Sequence, residues 1–323
     1  MHIGHGATHS PGCLSKVSFG MDFQATLNFL VEARSTFGNL DPVLVNLVYR
    51  VNELAMMTHK AVKGTHKRKT AGFVRTCVAY AFITTPSISN ITKRLELYLV
   101  SAQVAIANQA LTQGDACFKA AIKLIMEGSE DELMTASYLQ GYMQAFMSSL
   151  LMVPDNPEQD PLYIFKGVLN VVEDFPWPDD SDAKACLFNS AIALLSAYAQ
   201  EAYLYTAKGV EANDQLYLSN PKFITEVTDM IGIMIEKVMG ILKVLHASPL
   251  RQWKLTMLLL EQIVIMADLT SVKLTVLITQ FWKLSMRAGM SAPKQTMFRK
   301  LIQDLAERPE PVPGAAELLV KLV

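Results

Sequence analysis

The side chains best suited to chemistry are the six histidines and four cysteines. They gather at only one place, where His2, His5, His9 and Cys13 crowd the first thirteen residues. Four such ligands could in principle hold zinc, but their spacing matches no zinc template. The segment also lacks any helical or strand period, so a fortuitous histidine-rich start is the simpler reading. Residues 1–20 then read as a disordered leader. Cys77, Cys117 and Cys186 lie far apart in apolar segments, with no CxxC pair. That argues for buried thiols in a reducing compartment rather than a disulfide framework.

Paired carboxylates could serve general acid and base catalysis. The clusters are Glu130-Asp131-Glu132, Glu173-Asp174 and Asp179-Asp180. All fall where helices begin or end, and negative charge there is ordinary capping chemistry. There is no Gly-rich phosphate loop ending in Gly-Lys-Ser or Gly-Lys-Thr, no HExxH, no GxSxG, and no GxGxxG after a strand. We therefore expect no catalytic residues, no cofactor and no metal site. A protein that holds other proteins is expected instead.

Charge and aromaticity supply the binding candidates. Lys60, Lys63, His66, Lys67, Arg68, Lys69 and Arg75 form the densest basic run. Within it Lys63, Lys67, Arg68 and Lys69 are a candidate patch for an anionic partner, either an acidic protein surface or a membrane phosphoinositide. With no interleaved aromatic, a solvated turn between helices is the simpler reading. Trp177 sits in a Pro-flanked loop, and Tyr198, Tyr203, Tyr205 and Tyr217 cluster further on. Aromatics on loops either anchor a partner or staple the loop to its neighbours, and the sequence does not choose.

Composition limits the classes further. Hydrophobic residues are 51% and charged residues 18% of the 323, and the net charge is −1. That is too apolar for a disordered chain and gives no global field for nucleic acid. Two uncharged runs, Leu97–Gly114 and Leu133–Pro154, are long enough to span a bilayer. Gln103, Asn108, Gln109 and Gln113 in the first, and Gln140, Gln144, Ser148 and Ser149 in the second, argue against it.

The elements that must position these residues are helices. Met134, Tyr138, Tyr142, Phe146 and Leu150 recur every fourth residue, while Ser137, Gln140, Gly141, Gln144 and Ser148 form a second, small stripe. The small stripe predicts close approach by another helix and a helix covered on two sides. Asp41 as N-cap and Pro42 open a helix to Lys63, ended by Gly64. Helices are expected over 67–82, over 91–107 with Ser87 or Ser89 as its opener, and over 111–126, 133–153 and 162–172. Further helices are expected over 184–205 with Ser181 as cap, and over 223–246, 250–267, 271–287 and 293–307. No alternation long enough for a strand occurs. Short loops between about a dozen helices, repeating every ~40–50 residues, predict an all-α, HEAT-like α-solenoid of antiparallel helix pairs over 21–323.

Several stretches resemble a known family. They are His66-Lys-Arg-Lys-Thr-Ala-Gly-Phe-Val-Arg-Thr-Cys77, Arg94-Leu-Glu-Leu-Tyr-Leu99, Gln103-Val-Ala-Ile-Ala-Asn-Gln109, Leu151-Met-Val-Pro-Asp-Asn-Pro157 and Asn213-Asp-Gln-Leu-Tyr217. In order, from about Asn39 to Tyr217, they look like the C-terminal part of the large α-solenoid subunit of retriever, the paralogue of the retromer solenoid. The resemblance implies an endosome-associated, cytoplasmic scaffold in a cargo-recycling coat of the Commander type. It implies a metallophosphoesterase-fold small subunit cupped by the C-terminal helices, and association with CCC proteins. Membrane association would be peripheral, through the complex. The arrestin-fold subunit is not an expected partner, because no Pro-Arg-Leu-Tyr-Leu-type motif stands in this chain. On this reading the Trp177 loop and the Tyr203–Tyr217 region line or buttress the partner surface. The stretch Phe23–Phe37 is expected to expose an apolar end. The alternatives are a helical interaction module of another pathway, a helical enzyme, or a membrane-embedded protein.

Overall fold

The structure, a computed structural model, describes residues 17, 19–153, 160, 162–199 and 220–322. Among them the chain is all-α, with thirteen α-helices, two 3₁₀ turns and no strand. Close packing divides the chain into two units, the first running to Pro176 and the second beginning at Trp177. No helix among the described residues is long and apolar enough to cross a membrane.

The first unit holds α1 (Phe23–Thr36), α2 (Asp41–Ala61), α3 (Arg68–Thr84), α4 (Ile91–Ala107), α5 (Leu111–Glu127), α6 (Ala136–Leu150) and α7 (Tyr163–Asp174). Several of these helices are started by a capping side chain. The Asp22 carboxylate accepts from Ala25 N at 2.9 Å, the Asn90 side chain accepts from Lys93 N at 2.9 Å, and Thr135 accepts from Tyr138 N at 3.2 Å. Pro42 preorganises the first turn of α2. Connections are short, so neighbours are antiparallel.

Stacking follows a two-layer rule. α2, α4 and α6 pack on one another in one layer, and α3, α5 and α7 in the other, while consecutive helices join the layers. α4 lies in the middle and buries ten of its seventeen residues. Polar groups tie every second helix together. Asn52 donates to Ser101 Oγ between α2 and α4, Gln103 donates to Ser149 Oγ between α4 and α6, and Tyr142 OH donates to the Leu95 carbonyl. These partners are 49, 46 and 47 residues apart, which is the expected repeat made visible as hydrogen bonds. That stacking is the solenoid arrangement.

The second unit holds α8 (Ala183–Tyr198), α9 (Pro221–Val244), α10 (Pro249–Met266), α11 (Val272–Arg287), α12 (Ala292–Glu307) and α13 (Ala315–Lys321). α8 packs on α9 and α10, α10 on α11, and α12 on α13. Rings fill the core: Tyr198 meets Phe223 with centroids 6.5 Å apart, and Trp282 stacks on Phe298 at 5.3 Å.

Local expectations needed correction. Asp41 is not the cap of α2 but its first residue, and Leu40 occupies the cap. The Asp41 carboxylate reaches instead to Ser89 N at 2.8 Å, pinning the turn before α4. α4 is opened by Asn90, not Ser87 or Ser89, so the Asn90-Ile91-Thr92 sequon is a helix cap. Asp182 rather than Ser181 precedes α8, and Ser181 Oγ accepts from Ala183 N at 3.2 Å. The expected end of α8 beyond Tyr198 runs outside the described residues. The run Leu97–Gly114 breaks at Asn108–Ala110, with Gln109 at φ 60, where the sequence placed the boundary between two helices.

The largest correction concerns α6. Its apolar stripe is buried as expected, from Met134 through Tyr142 and Phe146 to Leu150. The small stripe is not covered, for Ser137, Gly141 and Ser148 are exposed, and nothing lies within 4 Å of where a Gly141 Cβ would stand. Leu139, Met143 and Met147 widen the buried face instead. Small side chains permit a close neighbour but do not require one. α1 likewise shows a largely polar outer face, Gln24, Asn28, Glu32 and Ser35, interrupted by Val31, rather than an apolar end. α13 was not foreseen, since seven residues carry too little period.

Candidate functional site

Two features of the structure bear on function, a basic rim in the first unit and an apolar surface in the second.

The rim is built at the α2–α3 turn. α2 ends with His59, Lys60 and Ala61, and Lys63 (φ 53) and Gly64 (φ 74) then reverse the chain through left-handed conformations. Lys67, Arg68 and Lys69 follow at the start of α3, and all four residues of the sequence-derived patch, Lys63, Lys67, Arg68 and Lys69, are exposed. Lys60 and Arg75 are exposed as well. The neighbouring α4–α5 turn leans on this one through Gln109 Nε2, which donates to the Gly64 carbonyl at 3.3 Å. Beneath it the rings of His59 and His66 sit 5.9 Å apart. Burial holds the His66 pKa below its ordinary value, and the neighbouring His59 lowers it further.

The basic run is part of a wider signal in the sequence. No Asp or Glu occurs between Glu53 and Glu96, while eight Lys or Arg do. The dense cations at 67–69 mark only its centre, and the missing anions mark the whole field.

The acidic clusters take up the places expected of them and do not converge. Asp131 Oδ1 accepts from Leu133 N at 2.8 Å in the turn before α6. Glu173 and Asp174 end α7. Asp179 and Asp180 are exposed in the loop before α8, where the Asp179 carbonyl and the Asp182 carboxylate receive Arg251, the latter at 2.7 Å. Among the described residues no three His, Cys, Asp or Glu form a group that could hold a metal. His2, His5, His9 and Cys13 lie outside the described residues. Cys77 and Cys117 are buried, and burial pushes both thiols up to about 12, which removes the thiolate needed for reactivity.

Of the aromatic candidates, Trp177 is half-buried and Tyr198 is buried in the core, 2% exposed. Tyr203, Tyr205 and Tyr217 lie outside the described residues. The second unit offers another surface instead. Ile265 at the end of α10 and Val272 and Val276 at the start of α11 are 54%, 76% and 49% exposed around one turn. Leu269 within that turn is buried, so the turn itself is anchored. Lone aliphatics cannot be picked out as exposed before the helix faces are known.

Comparison with known proteins places the chain. Residues 7–320 match the family model described as "VPS35L C-terminal domain". The chain is 45% identical over 287 residues to the zebrafish (Danio rerio) protein named "VPS35 endosomal protein-sorting factor-like", covering 86% of this chain and 30% of that one. The Homo sapiens protein of the same name is 44% identical over 298 residues, covering 90% and 31%. The Drosophila melanogaster relative is 35% identical over 295 residues, covering 88% and 30%. The chain thus spans about a third of the length of these relatives. A two-layer helical stack, the retriever-like sequence stretches and a match over nearly its whole length agree, and the chain belongs to the VPS35L C-terminal domain family.

Proposed function

We propose that the chain is the C-terminal scaffold portion of an endosomal protein-sorting factor, acting in a cargo-recycling coat of the retriever and Commander type. Its relatives carry the name of endosomal sorting factors, and that name supports the sorting role. The activity is binding, not catalysis. A small metallophosphoesterase-fold subunit seats on the second unit, and CCC proteins join the assembly.

One observation favours the second unit as the seat. Around the α10–α11 turn three aliphatic side chains, Ile265, Val272 and Val276, stand in solvent on helices whose opposite faces are packed. Covering them is a favourable step for a globular partner, worth about 25 cal/mol per Å² of apolar surface. Trp177 and the Tyr203–Tyr217 region contribute aromatic anchors in this reading.

The test is a pull-down of the metallophosphoesterase-fold subunit with the 323-residue chain. Replacing Val272 and Val276 by Asp should abolish capture while leaving the helical signal intact, since neither side chain is buried. Trp177→Ala and Tyr205→Ala should weaken it. Capture unchanged in all variants would overturn the assignment of the seat. Failure to recover the subunit with the unaltered chain would overturn the partner.

A further inference from the structure

The basic rim has no part in the reading above, where the membrane is reached only through the assembly. Three observations set it apart from a solvated turn.

First, its cations stand where local physics opposes them. Lys67, Arg68 and Lys69 occupy the start of α3, at the positive end of the helix dipole, with no acidic residue in the first turn. Lys63 takes a left-handed conformation at φ 53, where Gly is preferred. The left-handed Lys63 closes a Schellman-type turn in which Gly64 N donates to the His59 carbonyl at 3.0 Å, so it is the charge of Lys67, Arg68 and Lys69 at the helix start that lacks a local reason. Second, four of the cations carry no ion pair among the described residues. Lys60, Lys67, Arg68 and Lys69 are exposed and make no ion pair within 4 Å among the described residues.

Third, the basic run and the acidic run Glu130-Asp131-Glu132 lie at opposite edges of the first unit. Asp41 on Ser89 and Tyr138 OH on the Thr92 carbonyl hold the starts of α2, α4 and α6 at one edge. The α2–α3 and α4–α5 turns, joined by Gln109 and Gly64, therefore lie at the opposite edge. The basic turn belongs to that second edge. Glu130, Asp131 and Glu132, all exposed, belong to the first, in the turn that leads into α6. The densest basic run and the densest acidic run of the unit thus face opposite edges, while Lys93 pairs with Glu96 on the first edge and Asp115 with Lys119 toward the second.

We propose that the edge carrying Lys60, Lys63, Lys67, Arg68 and Lys69 is a contact surface for an anionic lipid bilayer. A bilayer suits it better than an acidic polypeptide. Four of the five cations are lysines, which act as point charges toward a field of headgroups, whereas phosphopeptide sites rely on arginine forks. The cations line a helix turn rather than a groove. The concave strip along Pro221, Thr225, Asp229 and Ile233 belongs to the other unit. The opposed acidic edge would orient the unit, basic edge toward the negative plane and acidic edge away. A short peptide gains nothing from that polarity. Each cation held at such a surface strengthens binding about fivefold.

The test is flotation of the 323-residue chain with phosphatidylcholine vesicles, alone or with about 30 mol% phosphatidylserine, at about 0.1 M salt. Binding should require the anionic lipid, fall as salt is raised, and drop about a hundredfold in Lys67→Gln/Arg68→Gln/Lys69→Gln. The same variant should melt no lower than the parent, because it removes cations from a helix N-terminus. Anionic vesicles bound equally by parent and variant, or by neither, would overturn the proposal. So would capture of a polyglutamate peptide without vesicle binding, which would assign the edge to an acidic protein. Competition by inorganic phosphate at millimolar concentration would overturn it too, since a bilayer contact needs many headgroups at once. Loss of the metallophosphoesterase partner in the pull-down above leaves this outcome untouched, so the two proposals fail separately.

Discussion

Asn52 Nδ2 donates to Ser101 Oγ at 2.9 Å in the packed seam between α2 and α4, where the two residues are 3% and 1% exposed. The pair is a polar rivet in an otherwise aliphatic layer formed by Val48, Val51, Ala102 and Ala105. Removing one partner strands the other without water. Ser101→Ala should therefore cost about 1–3 kcal/mol in urea unfolding. Adding Asn52→Leu should recover part of that loss, because replacing both partners removes the stranded amide. A double variant less stable than Ser101→Ala would show that shape rather than hydrogen bonding governs this seam.

Asn90 starts α4 by accepting from Lys93 N and from Thr92 Oγ1. Asn90→Ala should destabilise the first unit by about 1 kcal/mol. Ser87→Ala, at the position the sequence also offered as a cap, should stay within about 0.5 kcal/mol of the parent. Equal losses at the two positions would contradict the capping assignment.

His66 predicts a pH dependence with a definite sign. Burial foremost, and then His59, keep its folded pKa below the ordinary 6.5. The unfolded chain then binds more protons as pH falls through that value, so stability is held above it and lost below. Melting temperature should decline from pH 7 toward about 5.5 and decline less in His66→Gln. A slope unchanged by the substitution would place the titration elsewhere.

Gly314 begins α13 at φ 81 and lies against the α10–α11 turn, where an added Cβ would stand 2.5 Å from the Leu269 carbonyl oxygen. Both conformation and contact reject a side chain. Gly314→Ala should cost about 2 kcal/mol or more in the second unit. Gly20→Ala, at φ 62 with nothing within 4 Å, isolates the conformational part and should cost about 1 kcal/mol. Equal losses would mean that the Leu269 contact contributes nothing.

How much of this was legible beforehand depends on the range of the interaction. The helices of the first unit were legible because period, proline and glycine act within a few residues. α4 begins and ends where the sequence placed it, and Gly64 closes α2 as expected. The 40–50-residue repeat was legible too, since each helix pair has nearly constant length, and Asn52–Ser101 and Tyr142–Leu95 realise it. The basic run was visible, but the lack of ion pairs at Lys67, Arg68 and Lys69 among the described residues was not, because ion pairing depends on which helices become neighbours.

The sequence by itself determined the all-α class, the order and approximate ends of the helices, and the family, since these rest on local hydrogen-bonding geometry and on residue identity in order. Only the tertiary structure decided which faces are covered. Ser137, Gly141 and Ser148 could equally have lined a helix contact, yet all three are exposed and no helix among the described residues covers them. Tyr142 could have faced a partner, yet its hydroxyl ends on the Leu95 carbonyl in the core. Burial is settled by the long-range competition among many apolar faces for few neighbours, and no local pattern encodes its outcome. The same competition left Ile265, Val272 and Val276 uncovered in the second unit and set Lys67 and Glu130 on opposite edges of the first.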